Sequence, residues 1–314
     1  MELNRTAASR LHVQHSEKPA GCLHLGWLSL CSWMEFLLGH SPDPDDAFMF
    51  YALAQHKIDT HGHRFEHILQ DIETLNQRAL RGELHISAVS IHAYAYLADK
   101  YALLPCGASM GDGYGPMLVT LEEPPADPEC IKAWLQSKRI AVPGEKTSAY
   151  LALRLFAGKV PTLTVPFDEI FSTVKQGKAD VGLIIHEGQI TYAGEGFQLV
   201  LDLGNWWKSV TGLPLPLGGN VIRKDIPRPI QREVSEIMKQ SIDYGLSHRR
   251  AGVEHSMPLA RGLDRDQADR FIGMYVNDFT LDYGPVGRNA IREFLASAVR
   301  NGFIPQNVEL EFVE

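Results

Sequence analysis

The sequence predicts an α/β protein with mostly parallel sheets, arranged as two lobes with a cleft between them. From residue 34 onward, short apolar strands alternate with helical patterns. The alternation breaks at Glu122–Glu129, EEPPADPE, with three prolines and four acidic residues, and restarts beyond it. After the second α/β set, TGLPLPLGGNVIRKD reads as an extended return crossing, and the remainder is mainly helical. This order predicts one lobe from residues 34–122 and 222–314 and a smaller one from 123–221. The crossings are expected near 121–126 and 214–222.

Residues 1–33 are polar at first and without periodicity, and are expected to be an extension outside the fold. The apolar stretch LHLGWLSLCSWMEFLLG has its positive residues far upstream and no small-x-small cleavage site after it, so a signal peptide is disfavoured. EFLLG is the first strand. SPDPDDAFMFYALAQHK follows as a helix, with Pro44 suited to its entry and Asp45 and Asp46 to its cap and first turn. RFEHILQ reads as a strand and DIETLNQRALRG as a helix that Asp71 can cap and Gly82 can end. ELHISAVS is a strand leading into a short helix at IHAYAYLADK. Beyond the acidic break come RIAVPG (strand), KTSAYLALRLFAG (helix), PTLTVPF (strand), DEIFSTVKQGK (helix) and ADVGLII (strand).

The 314 residues suit about two domains of roughly 150 residues each. With 30 Lys and Arg against 38 Asp and Glu, the formal charge is −8, which disfavours nucleic acid and anionic membrane as partners. No apolar run reaches the roughly 18 residues of a membrane-spanning helix. Cysteines 22, 31, 106 and 130 form no CxxC pair and read as reduced thiols of a cytosolic protein.

Several residues could carry chemistry. Ala179–Ile185 is a nearly continuous apolar run, as in a strand buried on both faces, and it ends in His186-Glu187-Gly188. Strand carboxyl ends face the ligand crevice in open α/β sheets, so His186 is a candidate base or a histidine bonded to backbone. In VPGEKTSAYLALRLF, helix N–H groups near Thr147, Ser148 and Ala149 could hold a carboxylate or phosphate, or Thr147 and Ser148 could simply cap. Ser90 follows a strand and could project into the same crevice. Asp43, Asp45 and Asp46 could hold a hard cation, though helix capping explains two of them. Strand alternation would place His61, His63 and His67 on one face, expected to be solvated rather than metal-bound. GDGYGP lacks GxGxxG spacing and leads into a strand, so a dinucleotide loop is excluded. Trp206, Trp207 and Tyr192 could stack on a flat ligand or fill the core.

Taken in order, SPDPDDAFMFYAL, DIETLNQRAL, VSIHAYAYL, PGEKTSAYLAL, ADVGLIIHEGQITY and DLGNWWKSVTGLPLPLGG resemble the 1,4-dihydroxy-6-naphthoate synthases of the futalosine route to menaquinone. The resemblance runs from about Met34 nearly to the C-terminus. It implies a two-lobed fold like the type II periplasmic binding proteins, used in a cytoplasmic lyase. The implied small-molecule substrate is cyclic dehypoxanthine futalosine, and no metal or cofactor is expected. It also implies His186 as the base and Asn76, Ser90, Thr147, Ser148 and Ala149 as substrate-binding residues. The family usually opens SPCPNDTF where this chain has SPDPDDAF, which introduces Asp43, Asp45 and Ala47. Two alternatives are chorismate dehydratase of the same route and a non-catalytic solute-binding protein. The HE motif and the WW…TGLPLPLGG block argue against the first, and the lack of an exported N-terminus against the second.

Overall fold

The computed structural model describes residues 33–306 and 308–314. The expected extension therefore lies, Trp33 apart, outside the described residues, as do Cys22 and Cys31. In chain order the strands are β1 (Glu35–His40), β2 (Arg64–Leu69), β3 (Ile86–Ser90), β4 (Tyr101–Leu103), β5 (Ser109–Gly111), β6 (Met117–Thr120), β7 (Ile140–Val142), β8 (Thr162–Thr164), β9 (Val181–Ile184), β10 (Gln198–Asp202) and β11 (Leu215–Arg223). They form two sheets. The first runs β2-β1-β3-β11-β4 with β5 also paired to β11, and the second runs β10-β6-β9-β7-β8.

Both sheets are mixed rather than mostly parallel. β1 pairs parallel with β2 and β3, and β7 with β8 and β9, as helical crossovers require. β6 and β11 each enter their sheet from the other one and run antiparallel to β9 and β3. The crossings also differ from expectation. β6 already belongs to the second sheet and Leu215 to the first, so the chain passes between sheets within 112–116 and 203–214. The acidic proline segment is instead the surface turn between β6 and the helix Pro128–Leu135, which Asp127 caps. Its composition marked a loop, not a lobe boundary.

The two crossings touch through their backbones. A Cβ on Gly204 would lie 1.9 Å from the Tyr114 carbonyl oxygen, so the approach requires glycine there.

Helices cover the sheets by their apolar faces. Ile72–Leu80 is capped by Asp71, whose carboxylate accepts from the Thr74 N–H, and it buries Leu75, Asn76 and Ala79. Arg228–Ser247 buries Val234, Ile237, Met238, Ser241, Ile242 and Gly245, a helical stripe against the Phe36–Leu38 side of the first sheet. The expected first helix is broken at Phe50 into Pro44–Met49 and Tyr51–Ala54.

Of the three histidines expected on one solvated face, His61 is exposed and the other two are packed. His63 precedes β2 and is buried, its Nδ1 accepting the Met34 N–H at 3.0 Å. His67 sits against His40, with Nδ1 and Nε2 2.9 Å apart. Phe36, Phe65 and Phe50 supply aromatic neighbours on this side, so the rings are packed. Trp207 likewise fills core, edge-on to Phe294 at 5.4 Å.

Candidate active site

A cavity of about 120 Å³ opens where the two sheets meet. Ser90 reaches it from the end of β3, Ile185 and Gln189 from beyond β9, and Gly218, Gly219 and Asn220 from β11. Thr147, Ser148 and Ala149 line it at the start of the helix Ser148–Ala157, and Asp43, Asp45 and Asp46 at the start of Pro44–Met49.

Of the residues expected to bind substrate, Ser90, Thr147, Ser148 and Ala149 line this cavity. Asn76 stands behind Ser90, fully buried: its Oδ1 accepts the Ser90 N–H at 2.9 Å and its Nδ2 donates to Ser90 Oγ at 3.1 Å. The Ser90 hydroxyl proton is thereby left free to donate.

The hydroxyls of Thr147 and Ser148 are already engaged. Thr147 Oγ1 donates to the Gly144 carbonyl and accepts the Tyr150 N–H, the geometry of an N-cap. Ser148 Oγ donates to the Leu217 carbonyl at 2.5 Å and accepts the His92 N–H. It ties the helix start to β11. The first-turn N–H groups of Ser148 and Ala149 have no partner within the helix and carry the positive end of its dipole. Such N–H groups are chemically suited to an anion.

His186 follows β9 as expected but stands beside the cavity rather than in its lining. Its ring lies edge-on to Phe167 and Phe171, with centroids 5.6 and 6.0 Å away. Nδ1 accepts the Gly188 N–H at 3.0 Å, and Glu187 Oε2 is 3.4 Å from the same nitrogen. Gly188 is needed for this approach, since a Cβ there would lie 2.8 Å from His186 Cε1.

The three aspartates do not cap the helix. Asp46 accepts the Ser41 N–H at 2.6 Å, and Asp43 accepts from Ser41 Oγ at 2.6 Å and from Arg261 Nη1 at 2.5 Å. Burial, then the neighbouring Asp46 and Asp43 charges, push the Asp45 carboxyl well above the usual range. Burial raises Asp46 to about 7 despite the Ser41 N–H. Among the described residues, no group of three or more His, Cys, Asp or Glu side chains is arranged to hold a metal ion.

Sequence reading missed three further residues. Gln189 donates to the Gly115 carbonyl at 2.6 Å and accepts from the Tyr275 hydroxyl, and both side chains wall the cavity. Arg261 joins Asp43 and Glu187. Tyr275 and Arg261 come from the helical C-terminal part, where no local pattern marks them. Gln189 lies within the HE block, and its nearness to His186 was the available signal.

The profile of the Menaquinone biosynthesis family matches residues 36–300, the span that builds both sheets and the cavity. The chain belongs to this family. One curated relative, the 1,4-dihydroxy-6-naphthoate synthase of Thermus thermophilus, is 37% identical over 265 residues, covering 84% of this chain and 94% of the relative. A crystal structure of an Archaeoglobus fulgidus protein is 44% identical, with a TM-score of 0.81, covering 86% of this chain and 98% of that one. The alkanesulfonate-binding protein SsuA of Xanthomonas axonopodis pv. citri, bound to MOPS, superposes with a TM-score of 0.65 at 10% identity, covering 87% and 95%. The family fold is thus that of the periplasmic binding proteins, two lobes about a cleft. Its named relatives are synthases, and this member is an enzyme.

Proposed function

We propose that this enzyme is a 1,4-dihydroxy-6-naphthoate synthase, a carbon–carbon lyase that takes cyclic dehypoxanthine futalosine to the naphthoate and releases the sugar-derived fragment. The observation that carries the reading is the polarity of the cavity. Its lining combines the Ser148 and Ala149 N–H groups, suited to a carboxylate, with Asp45 and Asp46, suited to accept from hydroxyls or to donate while protonated. A substrate with an aromatic carboxylate at one end and sugar hydroxyls at the other matches both.

In this reading His186 removes a proton from carbon, the adjacent carbon–carbon bond breaks with its electron pair leaving on the sugar-derived fragment, the ring gains aromaticity, and the imidazolium returns the proton to the fragment. Ser90, oriented by Asn76, donates to a substrate oxygen and helps fix the reacting geometry. A cavity of about 120 Å³ is well below the ~300–1,000 Å³ of pockets that enclose drug-sized ligands. In this reading the lobes part to admit the substrate, and their closure excludes water. Among the described residues Cys106 and Cys130 carry free thiols, the latter exposed, which supports a reducing compartment, the cytoplasm.

The test is direct. Purified protein is incubated separately with cyclic dehypoxanthine futalosine and with chorismate, and products are analysed by mass spectrometry. Formation of 1,4-dihydroxy-6-naphthoate only from the first is expected; dehydration of chorismate would reassign the enzyme. His186→Asn should lower kcat by about 10²- to 10⁴-fold while product still binds. Near-normal kcat in that variant would remove His186 from the chemistry.

A further inference from the structure

Arg261 makes the densest set of polar contacts near the cavity. Its Nη1 donates to both Glu187 oxygens, at 3.0 and 3.1 Å, and to Asp43 Oδ1 at 2.5 Å, while Nη2 donates to the Pro42 carbonyl at 3.1 Å. The guanidinium also lies over the Phe167 ring, 4.7 Å from its centroid, and Phe167 in turn walls His186. Arg261 holds a left-handed backbone, φ +42°, which a non-glycine residue keeps only when its surroundings compel it. One arginine therefore fixes a carboxylate from the loop after β1 and another from the end of β9.

The Glu187 carboxylate so fixed is buried and faces His186 Nδ1 at 3.4 Å. Burial alone would raise its carboxyl, but the His186 ring beside it and the Arg261 charge outweigh that and hold it below the ordinary range. Nδ1 has two suitors. While it accepts the Gly188 N–H, the neutral ring carries its proton on Nε2 and offers no lone pair there. With the proton on Nδ1, donated toward Glu187, Nε2 becomes the proton acceptor.

We propose that Glu187, clamped by Arg261, is the positioning residue that draws the His186 proton to Nδ1 and so leaves Nε2 free to take the substrate proton. The inference rests on the reading of His186 as the base. In the step, the carbon-bound proton passes to Nε2, its electron pair forms the new double bond of the aromatic ring as the pair of the cleaved carbon–carbon bond leaves on the sugar-derived fragment, and the imidazolium, facing the Glu187 carboxylate, returns the proton to that fragment. Asp43 completes the clamp from the loop after β1. This gives Asp43 a role as the counter-charge to Arg261.

The experiment is long-range ¹H–¹⁵N correlation of histidine-labelled protein, with and without 1,4-dihydroxy-6-naphthoate, alongside steady-state kinetics. In the product complex the wild-type His186 ring should be protonated at Nδ1. Glu187→Gln should shift it toward the Nε2–H form and lower kcat by about 10²-fold or more, with KM changed far less. Arg261→Gln should act in the same direction, and Arg261→Lys should recover part of the lost kcat. A wild-type ring protonated only at Nε2 in the complex would overturn the proposal without any variant. So would a Glu187→Gln enzyme with unchanged tautomer and kcat. The spectra report the Glu187–His186 coupling whether or not His186 is the base, and His186→Asn kinetics decide that reading independently.

Discussion

Asn76 and Ser90 satisfy each other from both sides: the amide oxygen takes the serine N–H at 2.9 Å and the amide nitrogen donates to the serine hydroxyl at 3.1 Å. The pair joins a helix behind the first sheet to the end of β3, and it turns one hydroxyl proton outward. A hydroxyl in the cavity lining is thus oriented by a residue that lines no part of the cavity.

Asn76→Ala should leave the buried Ser90 N–H without an acceptor, at a cost of about 1–3 kcal/mol in stability. Ser90→Ala should cost less stability but raise KM, because it deletes the donor that faces the ligand. Thermal unfolding of both variants together with their kcat and KM values checks the division. Equal stability losses in the two, with unchanged KM in Ser90→Ala, would contradict it.

The Asp45 carboxyl, raised first by burial and then by Asp46 and Asp43, binds its proton more tightly in the folded than in the unfolded chain. Asp46, also raised chiefly by burial, does so up to about pH 7. Their sign follows from linkage. The unfolded chain loses these protons near pH 4, so stability falls as pH rises from there toward 7 and above. Asp45→Asn, which stays neutral, should therefore raise Tm more at pH 8 than at pH 5. A Tm gain independent of pH would refute the assignment.

His40 and His67 should behave in the opposite sense. Burial, followed by the charge of the partner ring, lowers His40 to about 3, and burial lowers His67 to about 4. The unfolded chain takes up these protons near pH 6.5, so stability is lost as pH falls below that value. The loss is about 2 kcal/mol per ring by pH 5. Imidazole resonances of both residues should stay in the neutral position from pH 8 to 5. Titration of either near pH 6.5 in the folded protein would show that the pair is not held dry.

The elements that were legible in the sequence are those whose causes lie within a few residues. Asp71 caps the helix that begins at Ile72, and Thr147 caps the one that begins at Ser148, because an N-cap needs only an oxygen three positions ahead of an N–H. The apolar run into His186 marked β9 as a strand buried on both faces, and the ordered blocks carried the family and the cleft.

What only the tertiary structure decided depends on where the chain returns. The mixed sheets follow from β6 and β11 each arriving from the other sheet, which no strand's own residues record. The acidic opening segment read locally as helix capping, yet Asp43 pairs with Arg261, 218 residues away, and Glu187 with the same arginine, 74 residues away. Locally Ser148 could cap its helix or help hold a ligand; β11 brings the Leu217 carbonyl to its hydroxyl and uses that proton. Hydrophobic periodicity repeats along the chain and can be read there. A charge or hydroxyl has no period, and its partner is set by which distant segment packs beside it.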